Sequence, residues 1–189
     1  MRIISGTVRS TPICWLPVLC NIAPPDLRRH DITAKLLRKT FTVKNSLLYL
    51  ELLELPTARL VSRNPVWNDF EMLESFNIKD KWREKWLIDK PLNYEIIDDP
   101  CIKVGGFDLR RREWSLLNRF RTGFGCCNEL LFKWNYITSP FCDCGNVIQS
   151  MHHIFNSCPL RRFAGDMREL SCAKSARAVQ WLFLMDLKL

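Results

Sequence analysis

No stretch of this 189-residue chain approaches the ~20 consecutive apolar residues that a membrane-spanning helix needs. The nearest candidate, residues 47–55, is short and carries Glu51 and Glu54, so no membrane span is expected. Residues 1–20 lack the continuous apolar core of a secretory signal, because Pro12 and Pro17 interrupt it. No segment has a disordered composition either: 47% of residues are hydrophobic. That suffices for one domain with a real core, or a helical domain plus a small appendage. The nine cysteines lack the distribution of a disulfide framework. Cys14, Cys20, Cys101 and Cys172 stand isolated, as small buried hydrophobes of a reducing compartment do. The expected setting is therefore intracellular, in nucleus or cytoplasm.

What is present in excess is positive charge, a formal +8. Such a balance favours acidic partners: nucleic acid, an anionic membrane surface or an acidic protein. Residues 10–25, apolar and proline-punctuated, predict a short packing helix or turn. Pro24, Pro25 and Asp26 form a helix start signal. Leu27, Ala34, Leu37 and Phe41 follow on one helical face, with Arg28, Arg29, Lys35, Arg38 and Lys39 largely outside it. Those cations read either as a solvated helix surface or as a phosphate-facing stripe. Further helices are expected over residues 46–53, 66–77 and 80–88, the last anchored by Trp82 and Trp86. Residues 91–106 read as a connector hinged at Gly105-Gly106. Asp98-Asp99 in that connector resembles a polymerase carboxylate pair. It lacks the strand–turn–strand setting and the converging carboxylates that two-metal chemistry needs, so it is expected to be a loop.

Residues 109–122, LRRREWSLLNRFRT, form the most distinctive helix. At ~100° per residue, Leu109, Trp114, Leu116, Leu117 and Phe120 share one broad side. Arg111, Arg112, Ser115, Asn118, Arg119 and Thr122 share the other, which is expected to be a basic outward surface. Arg110, Glu113 and Arg121 fall on the apolar side. Two readings fit Arg121: a buried ion pair, with Glu113 a candidate partner, or a groove residue that meets phosphate. Gly123 and Gly125 end the helix, and residues 128–134 form another short one.

Downstream lies Cys142-Asp143-Cys144-Gly145, then His152-His153 and Cys158-Pro159, a C-x-C-x8-H-x4-C pattern. Zinc takes four such ligands in a tetrahedron. A cysteine pair on a tight turn supplies two, with Gly145 relieving the reversal. His153 and Cys158 supply the others, His153 being preferred to His152 for its four-residue gap. Five helical steps turn ~500° and would splay His153 from Cys158 by ~140°, so the helix must end before Cys158. Asn156, Ser157 and Pro159 permit that. C-x-C is a weaker signal than C-x-x-C, since alternating side chains tend to point apart. Four protein ligands leave no open position, so the expected metal is structural Zn2+ and not catalytic.

Three blocks carry a resemblance: GFDLRRREWSLLNRFRTGFGCCNELLFKW, SPFCDCG and QSMHHIFNSCPLRRF. They resemble the C-terminal region of non-LTR retrotransposon polyproteins of the jockey and RTE kind. SGTVRSTPICWLPVLCNIAPPDLRR looks like the helical connector after the reverse transcriptase domain there. The resemblance implies a transposable-element protein with a Cys-Cys-His-Cys zinc knuckle on Cys142, Cys144, His153 and Cys158. It also implies a region that helps bind RNA or DNA during target-primed reverse transcription, with the Arg119-to-Gly123 block as its basic motif. Phe124 stands where the family often has a polar residue, and the catalytic polymerase and endonuclease domains are absent.

The expected architecture is mostly α: a helical connector over 1–100, a basic helix and zinc-knuckle module over 105–170, and a C-terminal helix over 171–189. In that helix Val179, Leu182 and Met185 pack back. The expected function is that of a retrotransposon-derived, zinc-binding, nucleic-acid-binding module and not an enzyme. Its expected contacts to RNA or DNA are Arg111, Arg112, Arg119, Arg121, Arg161 and Arg162, with no membrane and no small-molecule substrate as partner. Two alternatives stay open: an accessory segment of an RNA-directed DNA polymerase encoded by a longer chain, and an inert zinc-folded fragment.

Overall fold

The chain is mostly helical, as the periodicity predicts. A computed structural model describes residues 1–44, 47, 49–50 and 75–187. Most of the helix expected over 46–53 (all but Leu47, Tyr49 and Leu50) and nearly all of that expected over 66–77 fall outside those residues. None of the nine cysteines is in a disulfide. Among the described residues, no helix is long and apolar enough to cross a membrane.

Two compact units emerge, one from Ala23–Lys85 and one from Met1–Ile22 together with Trp86–Leu189. Met1–Ile22 thus groups with Trp86–Leu189. In the first unit, Pro25 opens the helix at residues Pro25–Thr42. A proline there sacrifices only an amide that the first turn would leave unpaired. This helix buries Ala34 and Leu37 against Phe41 and Phe76 and leaves Arg28, Arg29, Lys35 and Lys39 exposed. Asp26 accepts from Lys85 at 2.5 Å, and Arg38 donates to the Phe76 carbonyl at 2.9 Å.

The second unit holds the larger core. Among the described residues of both units the helices are, in chain order, α1 (Arg2–Ser5), α2 (Trp15–Cys20), α3 (Pro25–Thr42, above), α4 (Ile78–Asp89), α5 (Arg111–Thr122), α6 (Asn128–Lys133), α7 (Met151–Asn156), α8 (Met167–Cys172) and α9 (Ala176–Leu184). A short 3-10 turn lies at Tyr94–Ile96. β1 (Phe141–Cys142) and β2 (Gly145–Ile148) form an antiparallel hairpin, with Phe141 opposite Ile148 and Cys142 opposite Gly145. All six residues of α2 are buried, with Trp15 edge-on to Trp86 at 5.0 Å. Trp82 and Trp86 are both buried, as expected of anchors. Of the four isolated cysteines only Cys20 is buried; Cys14 and Cys101 are half-buried and Cys172 is exposed, which corrects the expectation for those three.

α5 runs through the middle of this unit and packs on α1, α7, α8 and α9. Leu116, Leu117 and Phe120 are wholly buried, each contributing roughly 1.5–3 kcal/mol. Phe120 meets Trp181 of α9 at 4.8 Å, and Phe155 of α7 stacks on Phe163 at 5.8 Å. Leu182 and Met185 pack back on this core as expected and Ala178 joins them, while Val179 is only half-buried.

The burial of α5 extends to its polar side. Ser115, Asn118, Arg119 and Thr122 are all buried, so the expected outward basic surface is a covered one. The cover is α1, a four-residue helix whose last carbonyls have no helical partner. Those of Ile3, Ile4, Ser5 and Gly6 are met from α5 by Arg111, Arg111 with Trp114, Asn118 and Arg119 respectively. Gly6 permits the approach: its φ is +69°, and a Cβ there would sit 2.1 Å from Ser115 Oγ.

Candidate metal centre and the basic helix

The cysteine pair is held by the hairpin. Cys142 ends β1, but Asp143 and Cys144 lie in the two-residue turn, not in a strand. The alternation that would separate the two side chains therefore does not apply. Gly145, at φ +138°, closes the turn in a conformation L side chains rarely adopt.

Gln149 docks this hairpin on α6. Its side-chain oxygen accepts from the Asn128 amide at 3.0 Å and its carbonyl from the Glu129 amide at 3.1 Å. Two otherwise unpaired donors at the start of α6 are thereby satisfied.

The other two sulfur and nitrogen donors come from α7 and its end. Ser150 caps α7, accepting from the His153 amide at 3.0 Å. The His153 carbonyl accepts both the Ser157 amide (3.0 Å) and the Cys158 amide (2.8 Å). The helix ends at Asn156, as the spacing required, and the doubled bond folds Cys158 back beneath His153.

The result is a cluster of Cys142, Cys144, His153 and Cys158 whose ligand atoms all lie within 4.8 Å of one another. Cys142 Sγ is 3.8 Å from Cys158 Sγ, and Cys144 Sγ is 3.2 Å from His153 Nε2. Cys142, His153 and Cys158 are buried and Cys144 is half-buried. These four groups can hold a metal ion. His152, on the same helix, is exposed. Burial opposes ionisation of Cys142, but the Cys144 amide and the Gln149 side chain bring its pKa down to about 6. Cys144 moves up to about 11 through desolvation and the neighbouring Cys142 and Cys158 sulfurs.

The six arginines expected to meet nucleic acid have diverse surroundings. Arg121 is wholly buried, so it lines no open groove, and among the described residues no carboxylate pairs with it. It donates to Ser171 Oγ (3.1 Å), Asn118 Oδ1 (2.8 Å), the Gly105 carbonyl (2.7 Å) and the Ser171 carbonyl. Burial pushes its pKa down to about 9, partly opposed by Cys172, so it stays charged at neutral pH. Gly105, expected as a hinge, is pinned by this bond. Arg119 is also buried, its Nε on Gly6 and one terminal nitrogen 3.5 Å from Cys126 Sγ. A phosphate cannot reach Arg121 in this structure. Arg112 donates to the Phe183 and Met185 carbonyls at the end of α9.

Arg111, Arg112, Arg119 and Arg121 thus supply donors where α1, α8 and α9 end, and cations are favourable there. Arg161 is mostly covered and bonds to Asp143 and Asp186. Arg162 is exposed. Glu113 is buried with Oε1 3.9 Å from Arg112, and Asp98, in a loop as expected, accepts from Arg168.

Gln149, Ser150 and Asp186 are absent from the expected site. Ser150 carries a legible signal, a capping residue three before His153. Gln149 and Asp186 carry none, because their partners are distant in sequence. Comparison with protein-family models, curated proteins and solved structures finds no match.

Proposed function

We propose that this chain is a zinc-stabilised nucleic-acid-binding module of the kind found in the tails of non-LTR retrotransposon polyproteins, and that it has no polymerase activity of its own. The observation that carries the reading is the four-donor cluster. A tetrahedral site with Zn–S of ~2.3 Å has sulfurs ~3.8 Å apart and sulfur–nitrogen edges of ~3.5 Å. The Cys142–Cys158 separation of 3.8 Å matches, and the Cys144–His153 separation of 3.2 Å needs an adjustment of a few tenths of an ångström. Three sulfurs and one imidazole are the donors that zinc prefers over harder cations. Zinc supplies a cross-link between hairpin and α7, joining four side chains in a stretch too short for a core of its own. With four protein ligands it has no open position for chemistry.

The nucleic-acid part rests on the resemblance, the formal +8 charge and the exposed cations Arg28, Arg29, Lys39, Arg110 and Arg162. These, and not the buried Arg119 and Arg121, are the groups positioned to meet phosphates. Native mass spectrometry of the parent and of Cys158→Ser tests the metal: one zinc in the parent, lost in the variant, supports it, and a folded metal-free parent refutes it. Fluorescence anisotropy with labelled RNA and DNA tests the partner. Binding should fall by orders of magnitude as salt rises from roughly 50 to 200 mM, as multiple phosphate contacts require. Absence of binding at low salt refutes it.

A further inference from the structure

Two side-chain donors converge on the Cys142 sulfur: Gln149 Nε2 at 3.5 Å and Arg161 Nη1 at 3.9 Å. Arg161 does more than approach the sulfur. Its Nε and Nη2 form a two-pronged pair with Asp186 at 2.9 and 3.0 Å, and Nη2 also reaches Asp143 at 2.7 Å. Asp143 sits in the turn between Cys142 and Cys144, and Asp186 lies just beyond α9. The Arg161 carbonyl accepts from Trp181 Nε1 at 2.8 Å. Its own amide and that of Arg162 both donate to the Cys158 carbonyl, at 3.1 and 2.8 Å. One residue therefore touches a metal-ligand sulfur, the ligand turn, the backbone of another ligand and the C-terminal segment.

We infer that Arg161 is a positioning residue that couples metal binding in the Cys142–Cys158 cluster to docking of α9 and the segment after it. The inference rests on the zinc reading above. Three thiolates around a dication leave a net charge of −1, concentrated on the sulfurs. An N–H donor disperses that charge, and such outer contacts tune metal affinity. Asp143 and Asp186 add two further negative charges, and Arg161 is the cation that holds all three together. Its side chain is only 15% exposed although both carboxylates are more than 60% exposed. Ligation fixes Cys158, the Cys158 carbonyl fixes the loop carrying Arg161, and the guanidinium fixes Asp186. Coupling of this kind is reciprocal: docking of the tail strengthens metal binding to the same extent that metal strengthens docking. Lysine cannot substitute, since one ammonium cannot present the planar fork to Asp186 and still reach the sulfur.

The test uses the full chain as parent, Arg161→Lys and Asp186→Asn. Zinc affinity is measured against a chromophoric chelator, and amide hydrogen exchange over 181–187 is followed with zinc and with excess chelator. The cobalt-substituted protein reports the sulfur-to-metal charge-transfer band. In the parent, removing zinc should accelerate exchange over 181–187. Arg161→Lys should weaken zinc binding by about tenfold or more. It should also move the band to lower energy, because the sulfur lone pair loses a donor, and abolish the zinc-dependent protection. Asp186→Asn should keep the band and lose the zinc-dependent protection. Affinity within twofold of parent and an unmoved band in Arg161→Lys overturn the inference, as does zinc-independent exchange in the parent. Where Arg161→Lys fails to fold by circular dichroism, Asp186→Asn decides: retained protection overturns, lost protection supports. A parent that binds no zinc refutes the proposed function along with this inference. A parent that binds zinc, with Arg161→Lys unchanged, refutes the inference alone.

Discussion

Replacing Arg121 by alanine separates the two roles a basic helix can have. The guanidinium is wholly buried and its donors end on Asn118 Oδ1, Ser171 Oγ and the carbonyls of Gly105 and Ser171. It also lies 5.6 Å from the Trp114 ring centre. Alanine strands those acceptors in a dry interior and leaves a cavity behind. Hydrogen bonds to a charged group are worth ~1.5–3 kcal/mol each, and the relief of desolvating the cation offsets part of their sum. Leaving those neutral acceptors unmet beside a cavity costs about 3–5 kcal/mol. Total stabilities run to only ~5–15 kcal/mol, so the loss is a large fraction. For a chain of this size it lowers the melting temperature by roughly 6–20 °C, at ~2–4 °C per kcal/mol.

The assay is thermal and urea unfolding of the zinc-loaded protein by circular dichroism, with Arg162→Ala as comparator. Arg162 is exposed, so its removal should leave stability within about 0.5 kcal/mol and shallow the salt dependence of nucleic-acid binding by ~1 unit. The refuting result is the reverse: Arg121→Ala melting within about 2 °C of parent while binding RNA or DNA selectively worse. That would put Arg121 on the binding surface and not in the core.

Three further outcomes follow from the same geometry. His153→Ala should lose the metal and His152→Ala should keep it, read by zinc content after dialysis, because only the His153 ring meets the sulfurs. Retention by His153→Ala would mean that the other imidazole rotates in. Gly6→Ala should destabilise by about 2–4 kcal/mol, since a Cβ at φ +69° clashes with Ser115 on α5. Gly145→Ala should cost only about 1–2 kcal/mol of backbone strain, because its Cβ would meet open space. Equal urea midpoints for the two would refute the close α1–α5 contact. Finally, metal binding takes the deprotonated thiolate, so protons compete. Cys144, held up at about 11, should release a proton on binding at neutral pH, seen as a buffer-dependent heat in calorimetry. Affinity should fall as pH decreases, more steeply below about 6 where Cys142 also protonates. A pH-independent affinity between 5 and 8 (about the range that brackets the Cys142 value) would rule out thiolate ligation.

Acid also removes a second kind of support. The Arg161 bond holds Asp186 below its usual carboxylate value. Its contribution is present above the unfolded value near ~3.9 and is lost as pH falls through the lower folded one.

Local order along the chain was legible from residue pattern alone. Pro24-Pro25-Asp26 marks a helix start, and the face of Ala34, Leu37 and Phe41 is the one that packs. The C-x-C-x8-H-x4-C spacing identifies all four members of the metal-capable cluster and requires the helix break that the Cys158 amide makes. These features depend on neighbours within about one helical turn or one hairpin, which sequence spacing reports directly.

What covers α5 depended on tertiary structure. A helical wheel separates apolar from polar positions, but it cannot say whether the polar side meets water or another helix's carbonyls. Residues 3–6, over a hundred positions away, supply acceptors for Arg111, Trp114, Asn118 and Arg119, and so turn a presumed basic surface into an interior one. Arg161 and Gln149 acquired their place beside the metal-capable cluster in the same way. The acceptors of a long, charged side chain are chosen by the fold, because burial makes every unpaired donor costly and distant backbone carbonyls can satisfy it as readily as neighbouring ones.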